Sequence, residues 1–149
     1  MHVALVEPEI PPNTGSIARL CAATETPLHL IGRLGFSIDD KHLKRAGLDY
    51  WPYVDVHQHA DWASFAARVP GRRLAFSARA TQPYTAAVFQ PDDVLVFGCE
   101  TRGLPPAIKT ELAASLYAIP IPSPHVRSLN LATAVAVVLY EARRQLALG

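Results

Sequence analysis

Polar side chains that could bind or activate a substrate are concentrated in three short segments, each of which follows an apolar run. The first segment, Glu7 to Arg19, reads Glu-Pro-Glu-Ile-Pro-Pro-Asn-Thr-Gly-Ser-Ile-Ala-Arg. Asn13 is a possible cap for a helix over Thr14 to Thr24, whose first backbone N–H groups could face a phosphate. Arg19 lies about one helical turn after Gly15, so its guanidinium can reach back toward the same loop. An ordinary capped helix with a surface arginine would explain the same residues.

The second segment follows the most hydrophobic run and reads Phe-Gly-Cys-Glu-Thr-Arg-Gly-Leu-Pro. Gly98 and Gly103 bracket Glu100 and Arg102, and glycines at such positions allow a ligand to approach the backbone closely. The spacing matches neither the dinucleotide-binding fingerprint nor the Walker loop. A ligand-binding loop and a tight turn between a strand and a helix fit the segment equally well.

The third segment, Ile119 to Asn130, reads Ile-Pro-Ile-Pro-Ser-Pro-His-Val-Arg-Ser-Leu-Asn. Its prolines force an extended path, and Ser128 is the predicted cap of the last helix. Ile119 and Ile121 beside free backbone N–H groups would suit a flat heteroaromatic ring, which needs apolar walls and hydrogen bonds at its edge. A proline-rich connector is the simpler interpretation.

Other chemistries have weaker support in the sequence. His57 and His59 with Asp61 resemble a metal-ligand cluster, but this spacing is more typical of a strand end with solvent-facing side chains. Cys99 beside Glu100 could be a nucleophile, yet no adjacent histidine would activate it. The two cysteines, Cys21 and Cys99, match no metal-ligand spacing and make no disulfide framework. No metal site is therefore predicted.

The elements that must position these segments alternate between apolar runs and helical spacing, which predicts an α/β fold with a mostly parallel sheet covered by helices on both faces. The predicted strands are His2 to Val6, Leu28 to Ile31, Val54 to Val56, Arg73 to Phe76, Val94 to Phe97 and Leu116 to Ile121. The predicted helices are Thr14 to Thr24, Asp39 to Ala46, Asp61 to Arg68, Pro105 to Leu112 and Ser128 to Leu146, and residues 78–91 form the largest irregular stretch. Ligands of open α/β sheets bind beyond the carboxyl ends of the strands, which is where the three segments lie.

The composition limits the class of protein. With 149 residues, 50% of them hydrophobic, and a formal net charge of +1, the chain is expected to form one folded domain over residues 1–149. The start of the chain lacks a basic leader, and its longest apolar stretch, Leu131 to Tyr140, is too short to span a bilayer, so a cytoplasmic protein without a membrane partner is expected. A local basic track could still bind RNA, with an aromatic ring stacked on a base. The candidates are Lys41, Lys44, Arg45, Arg72, Arg73 and Arg79 for the track and Tyr50, Trp51 and Tyr84 for the ring.

In this order and on so short a chain, the three segments resemble the three motifs of the SpoU branch of the SPOUT RNA methyltransferases. The resemblance covers essentially the whole chain. It rests on Glu-Pro-Glu-Ile-Pro-Pro-Asn-Thr-Gly, on Arg-Arg-Ala-Gly-Leu-Asp-Tyr with Lys44 in its first position, on Phe-Gly-x-Glu-Thr-Arg-Gly-Leu-Pro and on Arg-Ser-x-Asn-Leu. It implies methyl transfer from S-adenosylmethionine, without a metal, to the ribose 2′-hydroxyl of a wobble pyrimidine in the tRNA anticodon stem-loop, with tRNA-Leu as the expected substrate. It also implies a homodimer and a C-terminal trefoil knot.

Carried over residue by residue, the resemblance implies a cofactor pocket and a reacting centre. The pocket would comprise Ser77, Gly98, Ile119, Ser128 and the backbone at Leu129, and the reacting centre would be surrounded by Asn13, Arg19, Glu100 and Asn130. Arginine is a poor literal base because the guanidinium keeps its proton in proteins. We therefore expect Arg19 to clamp a phosphate and stabilise the developing alkoxide.

Three alternatives stay open at this point. The fold could methylate another RNA site, it could be a non-catalytic RNA-binding protein, or it could be a small nucleotide-binding module. The presence of Asn13, Arg19, Glu100, Ser128 and Asn130 counts against loss of activity. The lack of a glycine-rich fingerprint counts against the nucleotide-binding module.

Overall fold

The computed structural model describes residues 1–47 and 50–148 and shows a single seven-stranded sheet of order β3-β2-β1-β6-β4-β7-β5. Every pair of neighbouring strands is parallel, which confirms the α/β class. The strands are β1 His2–Val6, β2 Leu28–Ile31, β3 Val56–His59, β4 Arg73–Phe76, β5 Gln82–Pro83, β6 Val94–Phe97 and β7 Leu116–Ala118. The helices are α1 Pro11–Ala23, α2 Lys41–Gly47, α3 Trp62–Arg68, α4 Pro106–Glu111 and α5 Leu131–Gln145.

Two strand predictions were wrong in their bounds. β3 begins where the predicted strand ended and runs through Gln58 to His59, because the buried His59 finds a hydrogen-bond partner in His29 on the neighbouring strand. β7 ends at Ala118, before the prolines that follow it, since proline offers no N–H to a sheet. The stretch predicted to be irregular contains the short edge strand β5 and a 3-10 turn, Tyr84–Ala86.

Two predicted helix caps were also wrong. α1 begins at Pro11, so Asn13 lies inside its first turn, and Ile10 occupies the cap position without a side-chain hydrogen bond. The prolines at the start of α1 lack two of the N–H groups that a cap would satisfy. α5 begins at Leu131 and is capped by Asn130 rather than by Ser128. The predicted start of α3 was correct, since the Asp61 carboxylate accepts from the backbone N–H of Ser64 at 2.7 Å.

Apolar side chains fill both faces of the sheet. On one face, α1 and α5 bury Ile17, Val135 and Leu139 against the alternate residues of the central strands. On the other face, Phe65 of α3 and Ile108 of α4 pack against the remaining set. The predicted two-sided covering is therefore confirmed. Among the helices of the described residues, none has the length and apolar character needed to cross a lipid bilayer.

Candidate functional site

The Glu100 carboxylate joins the second segment to the first. Because all strands run parallel, the segments that follow β1, β4, β6 and β7 meet at one edge of the sheet. At this edge Glu100 accepts hydrogen bonds from the backbone N–H of Glu9 at 3.0 Å and of Ile10 at 2.7 Å, and from Asn13 Nδ2 at 3.2 Å. These bonds satisfy N–H groups at the start of α1, where the helix dipole also favours a negative charge.

The hydrogen bonds continue from the first segment to the third. Asn13 Oδ1 accepts from Asn130 Nδ2 at 2.9 Å, and Asn130 Oδ1 accepts from the backbone N–H of Thr133 at 3.2 Å. Asn130 therefore caps α5 and bonds Asn13 at the same time. The structure thus brings three of the four residues predicted for the reacting centre into one chain, Glu100–Asn13–Asn130, that connects all three segments.

A second connection between the first two segments was missed in the sequence. The Glu9 carboxylate accepts from the backbone N–H of Thr101 at 3.1 Å and from its hydroxyl at 2.6 Å. The hydrogen bond from the Thr101 side chain is the main reason that the pKa of Glu9 lies below its usual range. Glu9 and Thr101 both stand inside the motifs that carry the resemblance. That position was the signal in the sequence from which their pairing could have been predicted.

Gly98 must be glycine because the protein's own backbone occupies the space that a side chain would need. Cys99 and Gly103 pair as an isolated antiparallel bridge that closes the second segment on itself. A Cβ atom at Gly98 would lie 2.1 Å from the carbonyl carbon of Gly103 and 2.2 Å from the nitrogen of Leu104. The sequence analysis explained this glycine by the approach of a ligand, whereas in the structure the group that approaches it is the chain's own backbone.

Arg19 stands apart from the Glu100–Asn13–Asn130 chain. It is an exposed residue of α1, and its guanidinium lies over the ring of Tyr50, with 4.7 Å between the Cζ atom and the ring centroid. Nη2 of Arg19 also donates to the Tyr50 hydroxyl at 3.4 Å. The arginine is thus held by the last residue of the Arg-Arg-Ala-Gly-Leu-Asp-Tyr stretch, a tyrosine that was considered from the sequence only for base stacking.

An open cleft of about 370 Å³ lies between the segments that follow β4 and β7. Of the predicted cofactor residues, Ile119 lines this cleft, Ser77 and Ser128 each adjoin a lining residue in sequence, and Gly98 and Leu129 are not part of its wall. Arg127 lines the cleft as well and was not predicted. The full lining is Ala78, Ala80, Thr81, Pro83, Ala118, Ile119, Pro120, Ile121, Val126 and Arg127.

The histidines considered as metal ligands have other partners. His59 is buried and its Nε2 lies 2.9 Å from His29 Nδ1, while His57 Nε2 lies 2.7 Å from Asp55 Oδ1. His59 was therefore wrongly expected to face solvent. Within residues 1–47 and 50–148, no group of three or more His, Cys, Asp or Glu side chains is arranged to hold a metal ion.

Both cysteines are buried and free. Burial raises the pKa of the Cys21 thiol to about 12, which keeps it protonated and unreactive. Cys99 Sγ lies 3.7 Å from the carbonyl oxygen of Gly103, inside the closed second segment. Neither position offers the accessible, activated thiol that nucleophilic catalysis requires.

The six basic residues considered for an RNA track do not form one surface. Arg72 pairs with the buried carboxylate of Asp93 at 2.7 Å, and Arg73 Nη2 donates to the carbonyl of Val69 at 2.6 Å. Arg72 directly precedes β4 and Arg73 is its first residue, so both lie at the amino edge of the sheet, where their contacts stabilise the fold. Lys41, Lys44 and Arg45 lie on α2, which packs against α1.

Comparison with known proteins identifies the family. The profile of the SpoU rRNA Methylase family matches residues 1–140, and the chain belongs to this family. It is 49% identical over 148 residues to the tRNA (cytidine(34)-2'-O)-methyltransferase of Escherichia coli strain K12, covering 98% of this chain and 94% of the relative.

Solved structures agree with this assignment. One, described as "Structural insights into the 2-OH methylation of C/U34 on tRNA", has a TM-score of 0.94 and 49% sequence identity. The alignment covers 99% of this chain and 97% of the chain in that structure. The SpoU methyltransferase AviRb of Streptomyces viridochromogenes, in complex with the cofactor AdoMet, has a TM-score of 0.85 and 26% sequence identity. The alignment covers 100% of this chain and 61% of the AviRb chain.

Proposed function

We propose that this protein methylates the ribose 2′-hydroxyl of the wobble nucleotide of tRNA, a cytidine or a modified uridine, with S-adenosylmethionine as the methyl donor. Membership of the SpoU family and the activity named for the Escherichia coli relative support the reaction class and the substrate. The observation that carries the proposal is the Glu100–Asn13–Asn130 chain, which joins the three segments at the carboxyl edge of the sheet beside a cleft.

The cleft has features that fit the methyl donor. Its volume of about 370 Å³ lies within the range of small-molecule sites. Ile119 and Ile121 provide apolar walls for an adenine ring, and Arg127 provides a positive charge suited to a carboxylate. When bound, S-adenosylmethionine supplies an electrophilic methyl group. We place Ser77, Ser128 and the backbone of Leu129 at the margins of this site, and Gly98 in the turn that supports it.

The protein's own residues would orient the ribose and manage its proton. Arg19 offers a planar fork of N–H donors that can clamp a phosphate and stabilise negative charge as it develops on the 2′-oxygen. Asn13 and Asn130, which bond each other at 2.9 Å, would fix the relative position of α1 and α5. Glu100, whose oxygens already accept three hydrogen bonds, would act by holding Asn13 and the start of α1.

The remaining expectations belong to the same proposal. Residues 1–149 would form one methyltransferase domain with a C-terminal trefoil knot, acting in the cytoplasm as a homodimer without a membrane partner or a metal. The match of family and fold across nearly the whole chain supports the domain and the knot. A tRNA-Leu anticodon stem-loop would approach α2 and the exposed side of α1, where basic residues are available.

The deciding experiment combines two measurements. Ribose methylation at position 34 is mapped by mass spectrometry on tRNA from cells with and without the gene, and the purified protein is assayed on an anticodon stem-loop with a 2′-deoxy substitution at position 34 as the control. We expect the modification to disappear in the deletion strain and the deoxy control to be inert. Cofactor binding with unchanged tRNA modification would point to another RNA site, and RNA binding without cofactor would indicate a non-catalytic protein.

A further inference from the structure

Tyr50 makes two separate contacts with the arginine assigned to the reacting centre. The guanidinium of Arg19 lies over the ring at a distance suited to a cation–π interaction, with its Cζ atom 4.7 Å from the centroid, and donates to the hydroxyl at 3.4 Å. We propose that Tyr50 is a positioning residue for methyl transfer, which holds the Arg19 guanidinium in the orientation that stabilises the charge developing on the 2′-oxygen. This inference rests on the role of Arg19 in the proposed function.

The backbone on both sides of this contact is anchored in the fold. Tyr50 directly precedes the 3-10 turn Trp51–Tyr53, and its carbonyl accepts from the N–H of Tyr53 at 2.9 Å. Trp51 packs against the core cluster beneath α1. Arg19 projects from α1 one residue after the fully buried Ala18. Two side chains whose backbones are fixed in this way can restrict each other's rotamers.

Holding the guanidinium has a direct advantage for catalysis. A free arginine side chain loses rotamer entropy when it is immobilised against the charge of a transition state. A preformed contact with Tyr50 removes part of that loss before the chemical step begins. The contact uses Nη2 and one face of the guanidinium, so Nε and Nη1 stay available as donors.

The same geometry argues against Tyr50 as a platform for a base. The ring face that meets Arg19 is covered by the guanidinium, and the hydroxyl already accepts a hydrogen bond. Stacking of a base on that face would have to displace the arginine that the reaction needs. The two roles make different kinetic predictions, since a positioning residue affects the chemical step and a base platform affects RNA affinity.

The test compares Tyr50→Phe, which keeps the aromatic face, with Tyr50→Leu, which removes both contacts. Tyr53→Leu is the matched control, because Tyr53 belongs to the same turn and is 78% exposed. In single-turnover methyl transfer to an anticodon stem-loop, we expect Tyr50→Leu to lower the rate about fivefold and Tyr50→Phe by less than about twofold, with RNA affinity unchanged. Tyr53→Leu is expected to match the wild type. A loss that falls mainly on RNA affinity would overturn the proposal in favour of base stacking.

A double-mutant cycle with Arg19→Gln establishes whether Tyr50 acts through the arginine. We expect Tyr50→Leu to cause no further loss of rate in the Arg19→Gln background, whereas an undiminished fivefold loss there contradicts the proposal.

A readout that needs no activity is the NMR shift of the Arg19 side-chain methylene protons, which a ring current from Tyr50 moves upfield. We expect this shift in the wild type and in Tyr50→Phe and its loss in Tyr50→Leu. Its absence from the wild type overturns the contact itself. A wild type that shows the shift but does not methylate the stem-loop would instead refute the proposed function.

Discussion

Arg19 is the residue at which two mechanisms can be separated. Arg19→Lys keeps the positive charge and loses the planar fork, so if Arg19 clamps phosphate and stabilises the alkoxide, the rate should fall at least tenfold without vanishing. Arg19→Ala should be slower still. The measurement is single-turnover methyl transfer across pH, with cofactor affinity determined alongside. Arg68→Ala is the control, since Arg68 is an exposed arginine on α3 at the other side of the sheet. Near-wild-type rescue of Arg19→Lys at high pH would favour a literal base instead.

At Gly98, close packing of the backbone limits the size of the side chain that the fold tolerates. Gly98→Ala places a methyl group against the backbone of Gly103 and Leu104, and we expect it to destabilise the fold by roughly 2 kcal/mol or more because backbone atoms cannot move aside cheaply. Gly103→Ala is the matched variant. Its φ of 70° is strained for alanine, but a Cβ there meets nothing within 4 Å, so we expect a loss of about 1 kcal/mol. Chemical denaturation measures both. Because Gly98 has no positive φ, equal losses would mean that the backbone of Gly103 and Leu104 yields to the new methyl group, against the expected clash.

The residues of the candidate site were accessible to sequence reasoning to different degrees. Asn13, Glu100 and Asn130 could be found because each stands in a motif, and the structure joins them. The reason that Gly98 is glycine could not be found, because it depends on the backbone of Gly103, five residues later, folding back against it. Arg127 also stands in a motif, as the first residue of Arg-Ser-x-Asn-Leu, but it was missed because the motif does not show which side chains line a cleft.

Histidines from three neighbouring strands form an unusual array on one face of the sheet. His2 Nδ1 lies 2.9 Å from His29 Nε2, and His29 Nδ1 lies 2.9 Å from His59 Nε2. His57, opposite His29 in the parallel register, stacks on it with 5.1 Å between centroids. Each neutral imidazole can donate once and accept once, so neutral rings of His2, His29 and His59 can make both of these hydrogen bonds.

This array predicts that acid destabilises the protein. Burial, followed by the charges that His2, His57 and His59 would carry, lowers the pKa of His29 to about 3, and burial also lowers the pKa of His2 and of His59. In the unfolded chain these histidines bind protons near pH 6.5, before the folded state does. The stabilising contribution is therefore fully present above pH 6.5 and is lost as the pH falls from 6.5 toward about 3.

The pH prediction is checked by denaturation in urea between pH 7.5 and 5, a range over which the free energy of unfolding should decrease by about 1.4 kcal/mol per pH unit for each extra proton bound by the unfolded state. Other groups around the array are Asp55, Asp92, Arg68 and the amino terminus. His29→Gln should flatten the pH dependence, whereas His42→Gln, an exposed residue of α2, should leave it unchanged. An unchanged slope in His29→Gln would show that His29 is not the coupled group.

The array also explains why β3 was placed incorrectly. An apolar run is the usual signal for a strand in a parallel sheet, and Val54 to Val56 supplied it. The strand instead uses His57 and His59, whose side chains find partners on β2 that no local pattern reveals. The inner strands β1, β2, β4 and β6 have the bounds predicted for them, because continuous burial leaves a continuous apolar run.

At the scale of the whole molecule, apolar surface on α5 and near α1 supports the proposed homodimer. One side of α5 is buried in the core through Val135, Val138, Leu139 and Ala142. Tyr140 on the same helix is 50% exposed, and Ile10, just before α1, is 41% exposed. A single chain of 149 residues offers little area for a tRNA, and a site spanning two copies would enlarge it. The proposed knot, by contrast, rests on the family alone, since periodicity and composition contain no information about how a chain threads.

We predict that the protein sediments with twice the 16.2 kDa mass of the chain at low concentration, through an interface that includes α5 and the start of α1. Tyr140→Glu introduces a charge into this apolar surface, which should raise the monomer fraction because a buried unpaired carboxylate is strongly unfavourable. Ala67→Glu is the control, since Ala67 is an exposed residue of α3, on the other face of the sheet from α1 and α5. Sedimentation velocity over a hundredfold dilution series distinguishes the outcomes. A stable monomer with full methyltransferase activity would refute the dimer, and equal effects of the two glutamates would place the interface elsewhere.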